Sequence, residues 1–80
     1  MRRVTLLYFA SLRDAAGVSS ETVQSVAVDL RALYLEARAQ HGFAMPLEQL
    51  RVAVDGAFAQ WDDAVPDGAE VAFIPPVSGG

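Results

Sequence analysis

The chain has 80 residues, 52% hydrophobic and 20% charged, which is room for one small folded domain and not for two. Ten acidic against six basic residues give a net charge of −4, opposite in sign to what phosphate backbones and anionic membranes attract, so neither nucleic acid nor membrane is an expected partner. Cysteine and lysine are absent and His41 is the only histidine, which removes disulfides, side-chain thioesters, Schiff bases, His-based metal clusters and an obvious Ser-His or Cys-His pair. No metal site and no bound cofactor are expected.

Met1-Arg2-Arg3 before an apolar stretch has the outline of a secretion leader. Arg13-Asp14 follow at once, however, and cleavage near Ala16 would remove the most apolar strand. No uncharged run approaches the ~18 residues of a membrane span. The expected location is the cytoplasm.

Val4 to Ala10 is a short apolar run with β-branched and aromatic members, which predicts a buried or nearly buried strand. Ser11 to Gly17 predicts a short polar helix or turn stopped by Gly17. Glu21 to Val26 alternates weakly, Thr22 and Gln24 against Val23 and Ser25, and predicts a second strand. Leu30, Leu33, Tyr34 and Ala37 then fall on one helical face, with Asp29 as N-cap and Gly42 as the glycine just past the end. Arg51 to Val54 predicts a strand, and Asp55-Gly56 a hairpin turn into Ala57-Phe58-Ala59. Glu70 to Ile74 is the last strand, ended by Pro75-Pro76, neither of which can donate to a ladder.

One main helix against a mixed sheet of four or five strands is an α+β arrangement, and a lone helix covers only one sheet face. Val71 and Phe73 share one face of the last strand, Ala72 and Ile74 the other; Leu6 and Tyr8 likewise oppose Leu7 and Phe9. Some of Leu7, Phe9, Phe58 and Ile74 are therefore expected to form an exposed apolar patch, of the kind that marks a partner site. The alternatives are that residues 43–50 fold over them or that the sheet edges are merely half-buried.

The end of the chain is its most distinctive segment. Two prolines stiffen the exit from the sheet, and Val77-Ser78-Gly79-Gly80 follow without a charged side chain. A frayed terminus is the ordinary meaning of such an ending. Here the root is a central strand, and a Gly-Gly carboxylate on a stiff stalk can enter a channel that any β-carbon would block. There it can attack the α-phosphorus of a nucleotide, become an acyl-adenylate and accept sulfur.

These residues resemble a known family. The segment Asp67-Gly68-Ala69-Glu70-Val71-Ala72-Phe73-Ile74-Pro75-Pro76-Val77-Ser78-Gly79-Gly80 is similar to the C-terminus of the small subunits of molybdopterin synthase. Leu7-Tyr8-Phe9-Ala10-Ser11-Leu12-Arg13-Asp14 resembles that family's first strand and following turn, and Val52-Ala53-Val54-Asp55-Gly56 its middle hairpin. The resemblance implies a ubiquitin-like β-grasp over residues 1–76 with a flexible tail, 77–80. It also implies a non-catalytic sulfur carrier in molybdenum cofactor biosynthesis. Gly80 would be adenylated by an ATP-using, E1-like enzyme, converted to a thiocarboxylate with the help of a sulfur donor protein, and inserted into the large synthase subunit to deliver sulfur to a pterin precursor. By the same likeness Gly79 threads the tail, while Phe9, Arg13, Phe58, Ile74, Pro75, Pro76, Val77 and Ser78 meet the partner. Asp55 stands where the family commonly has asparagine.

Other constellations carry less. His41, beside Gly42, is expected to serve the last carbonyls of its helix. Asp62, Asp63 and Asp67 lack EF-hand spacing and are interrupted by Pro66, so a solvated acidic turn is expected. Two further readings share the Gly-Gly ending: a thiamine-pathway or other small-molecule sulfur carrier, and a ubiquitin-like protein modifier or interaction module.

Overall fold

The computed structural model describes residues 1–76. Strand β1, Arg2–Tyr8, points Val4, Leu6 and Tyr8 to one side and Arg3, Thr5 and Leu7 to the other. Helix α1, Ala10–Ala16, buries only Leu12 and ends at Gly17, whose φ of 79° is the left-handed turn glycine adopts freely. Strand β2, Ser20–Ser25, starts one residue earlier than the sequence predicts and runs antiparallel to β1.

Helix α2, Leu30–His41, forms where the apolar spacing predicts it. Leu30, Leu33, Tyr34 and Ala37 are its buried residues. Asp29 caps it, accepting from the Ala32 N–H at 2.8 Å. The N–H groups of Leu30 and Arg31 donate to the carbonyls of Asp63 and Trp61. The loop around residues 61–65 thus satisfies donors that a helix start leaves unpaired.

Strands β3, Arg51–Val54, and β4, Ala57–Ala59, form the hairpin, turning through Asp55 and Gly56 at φ of 51° and 87°. Positive φ at both turn residues matches the right-handed strand twist, which is why Asp-Gly serves here. Strand β5, Glu70–Ile74, lies between β1, parallel, and β3, antiparallel. The sheet order is β2-β1-β5-β3-β4. First and last strands pair at the centre, and α2 crosses one face: this is the β-grasp.

The core lies between α2 and that face. Phe73 is its hub, edge-on to Tyr34 at 5.1 Å between ring centroids and stacked near Trp61 at 6.1 Å. Residues 43–50 close the same side rather than the open one. Phe43 and Leu50 are buried in the helix-side core, and the Tyr34 hydroxyl donates to the Met45 carbonyl at 2.7 Å. The sheet's second face is left uncovered among the described residues. The expected tail, 77–80, lies outside them.

Candidate docking face and carrier terminus

The uncovered face follows from strand alternation. Leu7 from β1, Ala53 from β3, Phe58 from β4, and Ala72 and Ile74 from β5 converge with Phe9 on a shallow groove of about 280 Å³. Phe58 is 69% exposed and Phe9 44%, while Phe73, one residue from the groove's Ala72 and Ile74, is 0% exposed. Large aromatic side chains standing in water together cost solvation that a partner surface would recover. The predicted members Leu7, Phe9, Phe58 and Ile74 are thus brought together. Ala10, immediately after Phe9, takes a φ of 50°, which breaks the strand there and starts α1.

Charge is laid out along this face. Arg51 sits over the Phe58 ring, its guanidinium carbon 5.5 Å from the centroid. The sequence reading missed it because a β-hairpin sequence does not say which diagonal pairs touch. At the other end Asp55 accepts from the Glu70 N–H through Oδ1 at 2.9 Å, and its own N–H donates to the Glu70 carbonyl at 2.8 Å. Asp55 therefore fastens the hairpin turn to the start of β5. An asparagine oxygen in its place would accept the same bond. Arg13 is exposed on α1, one turn beyond Phe9, with no side-chain hydrogen bond or ion pair among the described residues.

Pro75 is buried and Pro76 exposed, so the chain leaves β5 with one proline held in the fold. Val77, Ser78, Gly79 and Gly80, the remaining predicted site residues, lie outside the described residues.

A polar cluster sits on the helix side. Glu21 of β2 accepts through one carboxylate oxygen from both the Tyr8 hydroxyl and the His41 ring. This corrects the expectation for His41. Its partner is a side chain across the fold, not the last carbonyls of α2; the Gly42 and Phe43 N–H groups serve the Arg38 carbonyl instead. Burial, then the Glu21 hydrogen bond and charge, push the Tyr8 hydroxyl well above its usual range. Desolvation pushes the Glu21 carboxyl up, but the hydrogen bonds from Tyr8 and His41 and the His41 charge outweigh it and hold the carboxyl low. The cluster ties β1, β2 and the end of α2 together.

Among the described residues no group of three or more His, Asp or Glu side chains is placed to hold a metal ion. The acidic turn residues have structural work: Asp63 accepts from the Gln60 N–H and Asp67 from the Arg3 N–H. Also among the described residues, no helix is long and apolar enough to cross a membrane.

Comparisons with known proteins identify the family and agree with the fold. The family model described as the ThiS family matches residues 6–80. The molybdopterin synthase sulfur carrier subunit of Homo sapiens is 38% identical, the match covering 98% of this chain and 94% of that protein. The subunit of the same description from Escherichia coli K12 is 35% identical, over 96% and 99%. The crystal structure of SAMP1, a small archaeal modifier protein from Haloferax volcanii, superposes with a TM-score of 0.78 at 26% identity, covering 98% of this chain and 99% of that one. The chain belongs to the ThiS family, alongside the molybdopterin synthase sulfur carrier subunits.

Proposed function

We propose that this chain is the sulfur carrier of a molybdopterin synthase, acting in the cytoplasm, with Gly80 as its reactive residue. The carboxylate of Gly80 attacks the α-phosphorus of ATP on an E1-like enzyme and releases pyrophosphate. A persulfide on a donor protein displaces AMP from the resulting acyl-adenylate to give an acyl disulfide. A second thiol cleaves that S–S bond, leaving as a disulfide with the donor and freeing the thiocarboxylate. The tail then enters the large synthase subunit, where sulfur passes to a pterin precursor. In this reading the chain is the covalently carried substrate of these steps. Its parts are a carboxylate at the end of a narrow stalk and an apolar face that holds the stalk's root against the partner.

The observation that carries this reading is 35% and 38% identity, over nearly the full length of both chains, to two sulfur carrier subunits, in a chain whose last residues are Gly79-Gly80. The open groove beside the last strand supports it independently, since a subunit needs a face for its partner. The likeness to SAMP1 supports a second reading, a protein modifier joined through Gly80.

Intact mass separates the two. After incubation with ATP, the activating enzyme and a sulfur source, the carrier gains the mass difference of one sulfur replacing one oxygen. Deleting Gly80, or adding one residue after it, abolishes that gain while leaving the fold unchanged, because a reacting carboxylate displaced by about 1 Å can lose ~100-fold in rate. Gly79→Val blocks it too, since a β-branched side chain widens and stiffens the tail. High-mass adducts without the sulfur gain would favour the modifier. Full sulfur loading of an untrimmed, extended chain would contradict both.

A further inference from the structure

The groove has two electrically different ends. Arg51 stands at one, on the open face and diagonal to Phe58 across the β3–β4 pair. It pairs in register with Ile74, the last residue of β5, so its charge lies where the chain leaves the sheet for Pro75 and residues 77–80. Asp55 and Glu70 stand at the opposite end, where the carboxylate and the N–H of Asp55 are both bonded to the Glu70 backbone. Among the described residues the ion pairs are Arg31 with Asp29 and His41 with Glu21; no carboxylate is paired with Arg51.

A guanidinium laid on an aromatic face keeps its N–H edge free for a second contact, and that fork matches a carboxylate bidentately. A partner that covers Phe58 and Ile74 also strips water from Arg51. A charge desolvated without a counter-charge is costly, so the covering surface must bring an anion to that spot. The net charge of −4 favours a generally basic partner, against which one exposed cation would be misplaced unless met by a local acid.

Resting on the carrier reading above, we propose that Arg51, held on Phe58, pairs with a carboxylate side chain of the large synthase subunit. The pair fixes which way round the partner sits, with its acid beside the root of the tail. A reversed docking would set that acid against Asp55 and Glu70.

The test is the affinity of the full chain for the large subunit of the same organism, by calorimetry, for wild type, Arg51→Lys, Arg51→Gln and Arg51→Glu. Arg51→Gln should weaken binding about 30-fold or more, Arg51→Glu further still. Arg51→Lys should fall between wild type and Arg51→Gln, because the charge stays and the fork is lost. Thermal midpoints of the free chains should agree, and an acid-to-arginine change in the large subunit should restore the binding of Arg51→Glu. Binding of Arg51→Glu within about threefold of wild type, or equal losses in Arg51→Lys and Arg51→Gln, would overturn the pairing and leave the carrier reading standing. A wild-type chain that does not bind the large subunit would overturn the carrier reading, and the pairing with it.

Discussion

The two faces of the sheet are built from the same strands and do opposite things. On the helix side Tyr8, Tyr34, Phe43 and Phe73 are closed off by α2 and by residues 43–50. On the other side Phe9, Phe58 and Ile74 line an apolar groove that is left open among the described residues. Neighbouring residues of one strand, Phe73 and Ile74, belong to the two different regimes. Apolar content alone therefore does not say where a residue's burial energy is spent: on folding on one face, on association on the other.

Truncating the helix side should show up in stability. Phe73→Ala should cost about 3–5 kcal/mol in denaturant unfolding, through lost transfer energy and the cavity left among Tyr34, Trp61 and Tyr8. A loss under about 1 kcal/mol would mean the aromatic hub relaxes and the comparison of faces is overdrawn.

Changing the open side should show up in binding. Phe58→Asp should weaken association with the large subunit by about 2 kcal/mol or more, as loss of an interface anchor does, and move unfolding by no more than about 0.5 kcal/mol. Unfolding of the free Phe58→Asp chain would make the groove part of the core.

Asp55 sharpens the comparison, because it supports the open face without being apolar. Asp55→Ala should cost about 1–3 kcal/mol, by removing the acceptor for the Glu70 N–H and by placing alanine at the φ of 51° that aspartate and asparagine tolerate, while Asp55→Asn should stay near wild type. Equal losses in the two variants would mean the charge, not the acceptor, matters.

The smallest effect belongs to Glu21. Its carboxyl is held below the ordinary value of 4.5 in the fold, so its contribution to stability is complete above that value and is lost as pH falls through the lowered one. Glu21→Gln should flatten the acid limb of a stability-against-pH curve, with little change in binding to the large subunit. An acid limb unchanged in that variant would remove the cluster from the account of stability.

Much of this was legible in the sequence, and the misses share a cause. The amphipathic helix, its Asp29 and Gly42 boundaries, the Asp55-Gly56 turn and the open apolar face all rest on local periodicity and turn chemistry, which a linear reading holds. The Arg51–Phe58 stack, the Asp55–Glu70 tie and the partner of His41 are contacts between distant segments. His41 next to a helix end looked like a cap because the chain does not announce that β2 brings Glu21 beneath it. The patch was readable, since it needs only alternation on strands whose order follows from the fold; the charge pattern across it was not.

The most direct test of the division between faces is amide and methyl chemical-shift mapping of the labelled chain on titration with the large synthase subunit. The account predicts the largest changes at Leu7, Phe9, Ala53, Phe58, Ala72 and Ile74, with the buried helix-side residues Leu33, Tyr34 and Ala37 little moved. Changes centred on α2, with Phe58 and Ile74 unaffected, would contradict it.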